Sequence, residues 1–247
     1  MLMVAKFGGT SVADAQRIRH AAKKLADAAQ EGKQVVCVVS AQGDLTDRLL
    51  EKIRSVTPSP DGRESDACLS AGEQISAALL AMAVQQLGLP AISLTGWQIG
   101  LQTDGDHQNA RILALTTDRI QKELADGKVV VVAGFQGVDE KEDITTLGRG
   151  GSDTTAVALA ALLGAQDCRI YTDVDGVYDR DPRKFPDARK FSVISYGDML
   201  DLCHSGAQVL HDRCVEMGQQ YHVPIQVLSA FRSDGGTMVT EGPTELF

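Results

Sequence analysis

The sequence predicts an α/β fold in which helices cover both faces of a mostly parallel sheet. Three observations carry this reading. Strand-like and helix-like segments alternate along the chain, the rhythm that builds crossover units. The runs Val35 to Val39 and Val129 to Ala133 are continuous and β-branched, as strands buried on both faces must be. The intervening stretches show apolar residues at helical spacing.

The elements follow in order. Leu2 to Lys6 is a short apolar strand ending at glycines. Ala13 to Gln30 places Ile18, Ala22, Leu25 and Ala29 on one helical face, and Gly32 stops it. Val35 to Val39 is a central strand. Leu45 to Val56 can be helical, and Thr57 to Gly62, with two prolines, is a loop. Asp66 to Leu87 reads as one long Ala-rich helix closed by Gly88 and Pro90. Ala91 to Leu94 is a strand, and Thr95 to His107, rich in Gly and Asp, is a hairpin or loop. Asn109 to Ala125 is helical and Val129 to Ala133 a buried strand. Ser152 to Leu163 is a solid helix stopped by Gly164. Arg169 to Thr172 is a strand, Asp173 to Pro186 is turn-rich, Ser195 to Cys203 and Ala207 to Tyr221 are helices, and Ile225 to Leu228 is the last strand. No repeat or linker divides the chain, so residues 1–247 are expected to form one unit with two lobes meeting near residue 145.

The bulk numbers narrow the function. With 24 Lys and Arg against 33 Asp and Glu, the 247-residue chain carries a formal charge of −9. That argues against nucleic acid or an anionic membrane as the main partner. An anionic ligand must then be drawn by a local positive site. The cysteine count is odd and no C-x-x-C pair occurs, so free thiols in a reducing cytosol are expected. No run approaches the roughly 20 apolar residues of a membrane span, and Met1 to Ala5 is too short for a leader before Lys6. A soluble, cytoplasmic protein is expected, with no structural metal site.

Five segments carry chemistry, all but one of them loops at strand ends, where such sheets bind ligands. Thr145 to Thr155 places three glycines around Arg149 and then enters a helix through Ser152 and Asp153. Backbone N–H groups, a helix start and a planar guanidinium all suit an anion. Lys6 stands directly before Gly8, Gly9, Thr10 and Ser11, a point charge beside glycine N–H groups; the Walker A spacing is absent. Ser40, Thr46 and Asp47 follow the second strand and can either bind a carboxylate or cap the next helix. Glu73, in the apolar helix, needs a cationic partner, either a substrate ammonium or a structural Lys or Arg. Asp173 to Arg183 holds four aspartates, two arginines and Tyr178; it lacks calcium-loop spacing and fits either a nucleotide rim or a solvated hairpin. His204 and His211, near Cys203, read as structural or surface histidines.

Together the segments Lys6–Val12, Val39–Ala41, Ser70–Glu73, Ala133–Gly137, Thr145–Thr155 and Tyr171–Pro182 resemble, in order and over essentially the whole chain, the catalytic domain of the aspartate kinases, within the amino acid kinase family. The resemblance implies a three-layer α/β/α sandwich around a mainly parallel sheet of roughly eight strands. It implies transfer of phosphate from ATP, with Mg²⁺, to the side-chain carboxylate of L-aspartate, giving 4-phospho-L-aspartate, the first step of lysine, threonine and methionine biosynthesis. On this basis Lys6, Gly8, Gly9 and Asp153 are catalytic. Thr10, Ser11, Ser40, Thr46, Glu73, Arg149 and Ser152 bind aspartate. Lys6, Thr172, Asp173, Tyr178 and Arg183 bind ATP. Residues 1–144 form the aspartate side and 145–247 the ATP side, in a homodimer. The alternatives are a family member acting on another acidic substrate, and a weakly catalytic nucleotide-binding subunit of a larger assembly. Gln208 and Asp212 depart from the family's G-A-K-V-L-H-P-R, which removes one positive charge. Asp179-Arg180 replaces the usual Thr-Ala, and the ACT domains usual in aspartate kinases are expected to be missing.

Overall fold

The two Val-rich runs lie side by side in a nine-stranded sheet. A computed structural model describes residues 1–232 and 235–246. The first half contains β1 (Leu2–Phe7), a tight helical turn (Gly9–Val12), α1 (Ala15–Gln30), β2 (Gln34–Val39), α2 (Leu45–Val56), α3 (Gly62–Leu69), α4 (Ala71–Gln86) and β3 (Ala91–Leu94). Next come β4 (Gln102–Thr103), β5 (Ile112–Ala114), α5 (Asp118–Ala125), β6 (Val129–Ala133), β7 (Gln136–Val138) and β8 (Ile144–Thr146). The chain then runs through α6 (Gly151–Leu163), β9 (Cys168–Thr172), β10 (Phe191–Ser195), α7 (Tyr196–His204), α8 (Asp212–Gln220), β11 (Ile225–Ser229), β12 (Thr237–Thr240) and β13 (Glu245–Leu246).

The main sheet has the order β13-β10-β12-β11-β9-β1-β2-β6-β3. From β3 through β11 every neighbouring pair is parallel; antiparallel pairing appears only at β11–β12 and β10–β13. The fold class is therefore as expected. The strand beyond the expected eight is β13, a two-residue edge.

Strand periodicity assigns the two faces. Met3, Ala5 and Phe7 of β1 join Cys37, Val131 and residues of α1 and α4 in one buried core. Val4, Val36 and Val132 join α5, α6, α7 and α8 in the other. Side chains alternate across a strand, so Lys6 shares the face of Val4 and points toward α6. Its register partner on β9 is Ile170.

Several expected elements are corrected. The single helix Asp66 to Leu87 is interrupted at Ser70, whose carbonyl accepts a hydrogen bond from the Gln136 side-chain amide at 2.8 Å. Asn109 to Ala125 is helical only over α5; Ile112–Ala114 is an edge strand of a second, four-stranded sheet in the order β5-β4-β7-β8. Ala207 to Tyr221 is helical only from Asp212, because the preceding loop carries His211 beneath Gly150. Against the expectation that no run approaches a membrane span, the stretch Gly62–Gln86 is long and apolar enough for one, with a window of mean hydropathy 1.5; half of that window is buried inside the fold. All five cysteines are free, and Cys37, Cys168 and Cys214 are buried. Burial pushes these three thiols well above their ordinary value, which makes them inert.

Candidate active site

A cleft of about 320 Å³ opens at the carboxyl ends of β1 and β2 and at the start of α6. It brings together eight of the expected residues: Lys6, Gly9, Ser40, Thr46, Glu73, Arg149, Ser152 and Asp153. They come from four separate parts of the chain, which parallel topology delivers to one edge of the sheet.

Lys6, one residue before the end of β1, faces α6 and meets Asp153 in the first turn of that helix, Nζ to Oδ1 2.6 Å, with both side chains 11% exposed. The pair is nearly dry, so the ammonium is a fixed charge at the head of the cleft. The first turn of α6 also leaves the Ser152 and Asp153 N–H groups without partners among the described residues. Such groups and the helix dipole favour an anion. Gly150 leads into this helix at φ 70°. A Cβ there would lie 2.2 Å from the Cβ of His211, so glycine is required twice over, by conformation and by space. His211 is thus a packing residue, as expected, and His204 is exposed.

Arg149 lines the cleft, is exposed, and has no ion pair or hydrogen bond to any described residue. Glu73 is its opposite. It is 3% exposed; Oε1 accepts a hydrogen bond from the Ala41 N–H at 3.0 Å, and Oε2 has no partner. No described Lys or Arg pairs with it, which removes the structural-cation alternative. Burial pushes its carboxyl up to about 7, partly opposed by the Ala41 hydrogen bond and the Lys6 charge. A carboxyl raised in the fold favours the folded state most below its unfolded value of 4.5, and that contribution is lost as pH rises through 7. Glu73→Gln keeps an acceptor for Ala41. It is expected to raise stability at pH 8 by roughly 2 kcal/mol and to leave it unchanged near pH 4. Calorimetric unfolding at both pH values checks this; a destabilised variant at pH 8 would refute it.

Thr46 and Ser40 are free of the capping role. The residue preceding α2 is Asp44, and no side chain caps that helix. Gly9 allows the turn after β1 to pack against the loop after β2, since a Cβ would come within 2.6 Å of the Ala41 carbonyl. Gly8 is corrected: its N–H donates to the Tyr171 carbonyl at 3.1 Å and is not available to a phosphate. Thr10 and Ser11 sit in the same turn and do not line the cleft, although the buried Ser11 hydroxyl has no partner.

Of the expected nucleotide residues Lys6 lines this cleft, and Thr172, Asp173, Tyr178 and Arg183 do not. Thr172 ends β9, beside β1, and its hydroxyl donates to Asp173 at 3.1 Å. Tyr178 donates to Asp175 at 2.9 Å, and the mostly exposed Arg183 pairs with Asp181. Arg180 pairs with Asp179 and Asp187 and lies over the Phe185 ring, so the charge it adds is neutralised within the segment. Gln208 is exposed in the loop before α8.

Phe135 lines the cleft without having been assigned a role. It adopts φ 72°, uncommon for a bulky side chain. Its N–H donates to the Thr155 hydroxyl at 3.3 Å, and Gly151 packs flush against it. Its only signal in the sequence is the Gly134-Phe135-Gln136-Gly137 segment. Ala41 likewise acts through its backbone N–H, which composition cannot reveal.

The family model of the amino acid kinases matches residues 1–229. The chain belongs to the amino acid kinase family. Among relatives, the aspartokinase of Geobacillus stearothermophilus is 52% identical over 240 residues, covering 97% of this chain and 59% of that protein. The aspartate kinase of Synechocystis has a structure that superposes with a TM-score of 0.87 at 45% identity, covering 98% of this chain and 40% of the other. Aspartokinase III of E. coli, in a complex with aspartate and ADP, also gives 0.87 at 26% identity, with coverage of 98% and 65%. This amino acid kinase chain spans 57–59% of the length of the first two curated relatives it matches. The cleft stands at β1 and β2, and β9 and β11 extend the sheet away from it.

Proposed function

We propose that this chain carries the catalytic unit of an aspartate kinase, transferring the γ-phosphoryl group of ATP to the side-chain carboxylate of L-aspartate. One observation carries the reading: a free guanidinium, Arg149, and a buried, half-unpaired carboxylate, Glu73, line a single cleft with the Lys6 ammonium. A small molecule bearing both carboxylates and an ammonium satisfies all three. Glu73 takes the ammonium, Arg149 takes one carboxylate, and the other carboxylate is left near Lys6 and the start of α6. Ser40, Thr46 and Ser152 supply polar contacts. Relatives at about half identity are aspartokinases, which supports the same reading.

The acceptor is already ionised at neutral pH, so no general base is needed. What the site must do is bring two anions together and stabilise charge on the moving group. Lys6 and the N–H groups of Ser152 and Asp153 are placed to do so, and Asp153 holds Lys6 in position. Thr172, Asp173, Tyr178 and Arg183 border ATP in this proposal, with residues 1–144 contributing mainly the aspartate side and 145–246 mainly the ATP side. The described residues include no group of three or more His, Cys, Asp and Glu side chains able to hold a metal alone. Mg²⁺ is therefore assigned to ATP oxygens, where it would offset phosphate charge. An ADP-release assay with aspartate, glutamate, N-acetylglutamate and UMP, with acyl phosphate trapped as hydroxamate, tests the function. Turnover of a non-amino-acid acceptor alone would overturn it.

The partner proposed is a second copy of this chain, with the assembly working in the cytoplasm. Ile75, Leu79 and Met82 project from the outer face of α4, 48%, 36% and 54% exposed. Glu73, the one charged residue of that helix, is turned inward. The stripe is apolar and self-complementary, so two copies can pack without like-charge repulsion. Leu79→Glu is expected to shift the protein toward monomer in sedimentation velocity; an unchanged oligomer would exclude this face.

A further inference from the structure

Asp66 lies in α3, seven residues before Glu73, and takes no part in the cleft. It is fully buried, and its carboxylate accepts four hydrogen bonds. The Thr146 hydroxyl donates at 2.6 Å and the Thr146 N–H at 3.0 Å; the Gln108 N–H donates at 3.0 Å and His107 Nδ1 at 2.9 Å. A buried carboxylate this well satisfied fixes its partners as much as they fix it.

All four donors stand at the base of the Arg149 loop. Thr146 ends β8, three residues before Arg149. Gln108 is held at φ 68°, left-handed for a residue with a side chain, and its carbonyl backs Gly148, where a Cβ would lie 3.0 Å away. Arg213 braces the other side: Nη1 donates to the Leu147 carbonyl at 3.1 Å and Nη2 to Asn109 Oδ1 at 2.6 Å. Asp66 ties this braced loop to the helical segment that continues, past Ser70, into Glu73. The same segment is held a second time where the Gln136 amide meets the Ser70 carbonyl.

We propose that Asp66 is a positioning residue that sets the span between the carboxylate grip at Arg149 and the ammonium grip at Glu73, and so selects substrate length. The proposal rests on the aspartate reading above. A pocket rejects one additional methylene only if its two ends cannot drift apart. Asp66 supplies that fixed distance between an otherwise unanchored arginine and the helix opposite. Asp66→Asn keeps the volume but puts an NH₂ group among donors, which opens the tie at Thr146, Gln108 or His107.

The test compares aspartate with glutamate, one methylene longer, in steady-state assays, together with the KM for ATP and thermal melting. For Asp66→Asn the KM for aspartate is expected to rise about tenfold and preference over glutamate to fall about tenfold, while kcat and the KM for ATP stay within about threefold. Thr146→Val removes the hydroxyl and keeps the N–H, and should give a smaller change in the same ratio. Thr146→Ser retains both donors and should restore wild-type selectivity. Unchanged aspartate KM and selectivity in Asp66→Asn, or in Thr146→Val should the first variant not fold, would overturn the proposal. So would a loss of kcat with selectivity intact, the mark of a purely structural residue. Absence of wild-type turnover with aspartate would instead refute the functional reading itself.

Discussion

Lys6→Gln is expected to lower kcat about a thousandfold, with a smaller rise in the KM for ATP. The reasoning begins with strand parity. Position 6 of β1 faces α6, so the ammonium is held 2.6 Å from Asp153 rather than in water. A charge aimed where negative charge develops, at a dry site that needs no reorganisation, is worth far more than the same charge in solvent. Part of any loss could come from leaving Asp153 buried and unpaired. The double variant Lys6→Gln/Asp153→Asn separates the two contributions. Stability should recover in it while kcat remains low. Lys6→Arg, which keeps charge but substitutes a planar fork for a compact ammonium, should recover activity only in part. A Lys6→Gln enzyme within tenfold of wild-type kcat would remove Lys6 from the chemistry.

Arg149→Ala is expected to lower kcat/KM for aspartate by about a hundredfold or more, with the KM for ATP within about twofold. This variant is an unusually clean probe. Arg149 has no partner among the described residues and stands exposed at a loop tip, so its removal breaks nothing in the fold. The melting temperature should stay within about 1 °C. Arg149→Lys should recover only a fraction, because one ammonium cannot grip both oxygens of a carboxylate. Unchanged aspartate kinetics in Arg149→Ala would place the substrate carboxylate elsewhere.

Much of this architecture is legible in the sequence, for identifiable reasons. The valine runs of β2 and β6 are buried on both faces and read as strands without context. Arg149 stands out because glycines and a helix start surround it, a local arrangement with one chemical use. Glu73 is legible as a carboxylate in an apolar helix, but only the structure shows that no described Lys or Arg pairs with it. The four-stranded sheet is invisible because its strands are two or three residues long, too short for any period. The Gly8 amide looks available until β9 arrives beside β1 and Tyr171 claims it. Thr46 reads equally as a cap or a ligand, since both need a hydroxyl at the same place. Asp66 carries no signal at all. A lone aspartate in a helix resembles a solvated side chain until four donors from three distant residues converge on it.

The main sheet runs without interruption through both halves of the chain, with β1 of the first half paired to β9 of the second along four residues. Parallel strands cannot swing apart without breaking that ladder. Under the proposed function, both substrates would sit over a common, stiff floor, with a fixed path for the phosphoryl group between them. Any opening that admits substrate is left to strand-end loops outside the Asp66 tie. Turnover limited by such a loop would follow solvent viscosity and respond to glycine substitutions in it on the microsecond-to-millisecond scale of loop gating, whereas the separation of donor and acceptor sites would stay constant through the cycle.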